Sequence, residues 1–140
     1  MLRRMMKQQT AVEFLLAPLC KVLVVDDDEG DLEYHSELLK GQGHIVVPCN
    51  SYSLAAELLE KNVYDLAILS QGTPAFEGRE VLERMRSAHC STPVLVVARA
   101  KELGCYLEAM RLGAVDYIEK PVRPAEIRRI LRTRFQPSLS

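Results

Sequence analysis

The sequence lacks a dominant charge. Its 140 residues carry 18 lysines and arginines against 19 aspartates and glutamates, a formal net charge of -1. So even a balance provides no long-range field toward nucleic acid or an anionic membrane. The sequence also lacks a disulfide or zinc pattern. Cys20, Cys49, Cys90 and Cys105 are scattered, no Cys-x-x-Cys occurs, and none stands at zinc-finger spacing from His35, His44 or His89. We read the cysteines as reduced thiols of a cytosolic protein. No run approaches the ~20 apolar residues of a membrane span, and no internal repeat or low-complexity segment is visible. What is there is an ordinary globular composition, 48% hydrophobic and 26% charged. The chain is long enough for one domain with a substantial core.

The most informative stretch is Lys21-Val-Leu-Val-Val-Asp-Asp-Asp28. Four consecutive apolar residues, three of them β-branched, read as a strand buried on both faces. Three carboxylates follow at its C-terminal end, where ligands bind in open parallel sheets.

The elements then alternate. Gly30 to Lys40 carries Leu32, His35, Leu38 and Leu39 near one helical face, stopped by Gly41-Gln-Gly43. His44 to Val47 reads as a strand ended by Pro48, and Ser53 as the cap of a helix holding Leu54, Ala55, Leu58 and Leu59. Asp65 to Leu69 is a third strand ending at Ser70, followed by a Gly- and Pro-bearing loop to Gly78. Glu80 to Arg86 is helical, with Val81, Leu82 and Met85 inward. Val94 to Val97 is a fourth strand ending at Ala98. A helix from Lys101 to Leu112 is expected to pack Leu103, Leu107 and Met110. Asp116 to Ile118 is a fifth strand, and Pro124 opens a last helix with Ile127, Ile130 and Leu131 inward. Five βα units with short connections predict an α/β fold, a doubly wound five-stranded parallel sheet of order 2-1-3-4-5. That order places Asp26 to Asp28 and Ser70 at one crevice.

Residues 1–20 are expected to be an N-terminal extension, 21–135 the domain and 136–140 a loose tail. Arg3, Arg4 and Lys7 before an apolar run ending in Cys20 have the outline of a secretion or lipoprotein signal. Glu13 and Pro18 break that run, and Leu19 stands where cleavage needs a small residue. The extension is instead expected to lay Phe14, Leu15 and Leu16 on the domain surface or on a second copy.

From Lys21 to Phe135 the chain resembles the receiver domain of two-component response regulators. The resemblance rests on Val22-Leu-Val-Val-Asp-Asp27, Tyr64-Asp-Leu-Ala-Ile-Leu69, Pro74 and Gly78, Pro93-Val-Leu-Val-Val97 and Gly113-Ala-Val-Asp-Tyr-Ile-Glu-Lys-Pro121, all in order. It implies a flavodoxin-like receiver fold and a non-enzymatic role in signal transduction. In the family an aspartate four residues before the loop proline accepts a phosphoryl group from a histidine kinase. Counted back from Pro74, that position is Ser70. The Ser or Thr that binds the phosphoryl oxygen corresponds to Ala98. Asp26 and Asp27 of the acidic pair, Tyr117 of the aromatic switch, and Lys120 with its following proline are retained.

An acyl phosphate needs a carboxylate nucleophile, and its formation needs a cation to neutralise the incoming oxygens. The resemblance therefore implies a degenerate receiver with no ordinary phosphorylation. It also implies only weak residual magnesium binding through Asp26, Asp27 and the Gly72 carbonyl. Lys120 is expected to reach Asp26 or Asp27 directly, across a cis Lys120-Pro121 peptide.

Asp28 and Glu29 are read as solvated or helix-N-terminal charges, Tyr117 as a half-buried strand residue, and the three histidines as surface or helix residues that ligate nothing. Arg123, Arg128, Arg129, Arg132 and Arg134 make the last helix basic. The family uses the surface of the fourth helix, fifth strand and fifth helix for partners, so a histidine kinase or output protein is expected there, with a homodimer also allowed. A stand-alone pseudo-receiver acting by protein binding is the leading reading. The alternative is a phosphorylatable regulator in which Ser70 is an engineered or tolerated change, or in which another carboxylate such as Asp27 accepts phosphate. A small metal-dependent hydrolase using Asp26 and Asp28 is disfavoured, because the loop spacing and a cap domain are missing.

Overall fold

A computed structural model describes residues 20–135. The expected extension, Cys20 apart, and the tail 136–140 lie outside them. Five strands, β1 (Lys21–Val25), β2 (Ile45–Cys49), β3 (Leu66–Ser70), β4 (Val94–Ala98) and β5 (Asp116–Glu119), alternate with five helices. These are α1 (Glu29–Gly41), α2 (Tyr52–Lys61), α3 (Arg79–Ser87), α4 (Leu103–Arg111) and α5 (Pro124–Phe135). The sheet order is β2-β1-β3-β4-β5 and every pairing is parallel.

Alternation along each strand builds two cores. Val22, Val24, Leu66, Ile68, Leu95 and Val97 pack with Leu39 of α1 and Ile127 and Leu131 of α5. Leu23, Val25, Ala67, Leu69, Val94 and Val96 pack on the other face with residues of α2, α3 and α4. Burial on both faces is why β1, β3 and β4 read as unbroken apolar runs. Cys20, assigned to the extension, is 1% exposed and belongs to the first core.

Several local expectations are corrected. β2 runs through Pro48 to Cys49. Among the described residues it is an edge strand paired only with β1, where a residue without an N–H is tolerated. The cap of α2 is Ser51, whose hydroxyl accepts from the Leu54 amide at 3.2 Å; Ser53 lies inside the helix. His35 is buried. Its Nε2 accepts from the Val122 amide at 3.2 Å and its Nδ1 donates to the Asp31 carbonyl at 2.9 Å, so it joins α1 to the loop before α5. The inward face of α4 is Cys105 and Ala109, whereas Leu103, Leu107 and Met110 are 73%, 56% and 38% exposed. Small side chains let that helix lie close to the sheet, and the larger stripe turns outward.

Candidate functional site

The chain leaves β1 for α1 on one face and β3 for α3 on the other, which opens a crevice between the two strand ends. Asp26 follows β1, its amide donating to the Cys49 carbonyl at 3.1 Å. Asp28 caps α1, accepting from the Asp31 amide at 2.9 Å. Ser70 ends β3 and is 2% exposed. The turn behind it needs a glycine, because a Cβ on Gly78 would stand 2.5 Å from the Ser70 carbonyl oxygen.

Lys120 is the hub. Its ammonium donates to Asp26 Oδ2 at 2.7 Å, Asp31 Oδ2 at 3.0 Å and Ser70 Oγ at 3.1 Å. The Lys120-Pro121 peptide is cis. Lys120 thus meets Asp26 and not Asp27. An ammonium has three donors and no acceptor. With all three committed, it offers the Ser70 hydroxyl no general base.

At the exposed rim, Arg99 pairs with Asp28 at 2.5 Å and Asp31 at 3.4 Å. The Asp31 amide first, and then the Arg99 guanidinium, hold the Asp28 carboxyl below the usual carboxylate range. Asp28 is therefore a helix-N-terminal charge, one of the two readings its sequence position allowed, and also an ion-pair partner of Arg99.

On β5, Tyr117 is 3% exposed, where half-burial was expected. Its hydroxyl donates to Gln71 Oε1 and accepts from the Glu102 amide at 3.1 Å. Burial pushes its phenol pKa up. Ala98, paired in register with Glu119, presents only a methyl group.

On the open side, Tyr52 reaches from the first turn of α2 and donates to Asp27 Oδ1 at 3.3 Å. Asp27 is exposed. Gly72 has φ +85°, and a Cβ there would meet Glu77 Oε2 at 2.2 Å and the Tyr52 hydroxyl at 3.1 Å. Glu77 is held by the Thr73 hydroxyl and amide at 2.5 and 2.7 Å.

A magnesium ion needs several oxygen ligands in near-octahedral array. Asp26 is already bonded to Lys120, Asp27 accepts from Tyr52, and Ser70 supplies a neutral oxygen shared with Lys120. Such a set fits a tightly held divalent ion poorly. Among the described residues no group of three or more His, Cys, Asp or Glu is arranged to hold a metal.

The crevice therefore brings together Asp26, Ser70 and Lys120, with Asp27 and Gly72 on its open side; Ala98 ends β4, and Tyr117 lies on β5 with its hydroxyl bonded to Gln71. Arg123, Arg128, Arg129 and Arg132 lie exposed on and just before α5, and Arg129 pairs with Asp116 of β5 at 3.3 Å. Asp31, Arg99, Gln71 and Tyr52 were not singled out from sequence. Arg99 and Gln71 directly follow strands whose ends face the crevice, and that position was the available signal.

The profile described as Response regulator receiver domain matches residues 22–132. The regulatory protein VanRc of Enterococcus gallinarum is 28% identical over 116 residues, which are 83% of this chain and 50% of that protein. The chain spans half or less of the length of the curated relatives it matches. A CheY-like response regulator receiver domain protein from Methanospirillum hungatei JF-1 superposes with TM-score 0.74 at 26% identity, covering 84% of this chain and 97% of that one. The receiver domain of the Pseudomonas aeruginosa PAO1 sensor histidine kinase PA1611, solved with magnesium in its active-site cleft, superposes with TM-score 0.72 at 21% identity, covering 83% and 97%. Among the described residues no helix is long and apolar enough to cross a membrane. With sheet order, crevice and profile in agreement over most of its length, the chain belongs to the response regulator receiver domain family.

Proposed function

We propose that this receiver is a pseudo-receiver: it signals by binding a protein, without aspartyl phosphorylation, and Ser70 stands at the acceptor position. The observation that carries this reading is the 3.1 Å bond from Lys120 to the Ser70 hydroxyl. A hydroxyl at the end of β3, with no base beside it, is a poor nucleophile for forming a phosphoryl ester. Ala98 removes a hydrogen bond to phosphoryl oxygen on the facing strand. The Tyr117 hydroxyl, held by Gln71 and the Glu102 amide, supports a single standing conformation. Any magnesium affinity is weak and rests on Asp26, Asp27 and the Gly72 carbonyl.

The partner is a histidine kinase or an output protein, meeting α4, β5 and α5. Leu103, Tyr106, Leu107 and Met110 supply exposed apolar surface there, and Arg123, Arg128, Arg129 and Arg132 supply positive charge. The test is intact mass after incubation with acetyl phosphate and magnesium. No adduct is expected. A stable phosphoryl adduct in the crevice, on Asp27 or any other residue, would overturn the reading and favour a phosphorylatable regulator.

A further inference from the structure

The acidic crevice has an internal occupant on its open side. Ser51 caps α2 and so fixes where the helix begins. Side chains tilt toward a helix's N-terminus, so Tyr52, the first helical residue, projects back over the strand ends. Its hydroxyl lies 3.3 Å from Asp27 Oδ1 and 3.1 Å from where a Gly72 Cβ would be. Glu77 covers Gly72 beside it. We infer that Tyr52 is a second lock on this crevice, its phenol standing among the residues a divalent cation would need, so that restoring an aspartate at position 70 does not by itself restore cation binding.

This inference rests on the pseudo-receiver reading and adds a residue to it. Two changes then separate this crevice from one that holds a cation: the lost carboxylate at Ser70, and a phenol that both bonds to Asp27 and fills space. The phenol is a donor to Asp27 Oδ1 at 3.3 Å. A cation seeking Asp27 has to displace that donor and move the ring. Lys120 stays on Asp26 in either case.

The test is isothermal titration with manganese, and separately magnesium, of the Ser70→Asp, Ser70→Asp/Tyr52→Ala and Ser70→Asp/Tyr52→Phe proteins, with circular dichroism as the folding control. A hydrogen bond to a charged group is worth enough to shift affinity by about tenfold or more. The double alanine variant is therefore expected to bind at least about tenfold more tightly than Ser70→Asp alone. The phenylalanine variant, which keeps the ring, is expected to move the same way by less. Equal affinities for Ser70→Asp and the alanine double variant overturn the inference. If the alanine variant does not fold, the phenylalanine variant decides, and an unchanged affinity there overturns it. Acetyl-phosphate labelling separates the two claims. Labelling of the unsubstituted chain defeats the pseudo-receiver reading. Labelling of Ser70→Asp at the same rate with and without Tyr52 defeats only the lock.

Discussion

The Lys120 side chain is 9% exposed and its partner Asp26 is 3% exposed. Removing one member of a buried pair strands the other charge, whereas replacing both together costs far less. Lys120→Met is therefore expected to lower unfolding free energy by about 3 kcal/mol, read from urea titration. An Asp26→Leu/Lys120→Met double variant should recover much of it. His35 shows the opposite use of burial. Its neutral ring accepts from Val122 through Nε2, and a proton there would turn the acceptor into a donor. Burial is the main cause that lowers its pKa from the ordinary 6.5; Lys120 lowers it further, while the Asp31 carbonyl and the Asp26 and Asp31 carboxylates oppose. Between the folded value and about 6.5 the unfolded chain binds more protons, so stability falls as pH drops through that window. His44, also lowered by burial, adds a slope of the same sign. In His35→Gln, whose amide oxygen can still accept from Val122, the slope below pH 6.5 should flatten to the part His44 contributes. Denaturant midpoints measured against pH check this, and an unchanged slope would rule His35 out as its source.

Among the elements, α2 depends on where its cap lies. The Ser51 hydroxyl bonds the Leu54 amide, and losing such a cap costs about 1 kcal/mol. Ser51→Ala is expected to destabilise by that amount, while Ser53→Ala, at an exposed helical position, stays within about 0.5 kcal/mol. Thermal melts of the two variants distinguish them. Sequence pointed to the wrong serine because both precede an apolar run. The backbone alone decides which one keeps extended φ and ψ before the helix, and Ser51 has φ -126° and ψ 124°. In β2, similarly, Pro48 looked like a stop, but the edge of a sheet leaves one side of a strand unpaired and can accept it.

At the scale of the whole molecule, the outward stripe of α4 and Arg128 and Arg132 of α5 are exposed, and Arg129 reaches Asp116 of β5 at 3.3 Å. Leu107→Gln is expected to leave stability within about 0.5 kcal/mol, because Leu107 is 56% exposed. Ala109→Leu, fully buried against the sheet, is expected to cost about 1–3 kcal/mol by overpacking. Urea titration of both checks which stripe faces the core. If the outward stripe is the partner face, Leu107→Gln and a charge reversal of Arg128, Arg129 and Arg132 should each weaken binding to the cognate kinase or output protein without unfolding the domain.

The strands, their number and the sheet order were legible from residue order, because burial on both faces writes a continuous apolar run and short connections leave few topologies. Asp26 to Asp28 and Ser70 could also be located that way, since each sits at the end of such a run or just beyond it, whereas Ala98, Tyr117 and Lys120 were singled out through the resemblance to receiver domains. What each side chain touches was not legible. Lys120 reaches Asp26 across 94 positions, Val122 reaches His35 across 87, Tyr117 reaches Gln71 across 46 and Tyr52 reaches Asp27 across 25. Separation along the chain says nothing about approach across a sheet. Only the packed fold decided that Lys120 meets Asp26 instead of Asp27, that α4 turns its large apolar residues outward, and that a tyrosine closes over the carboxylates.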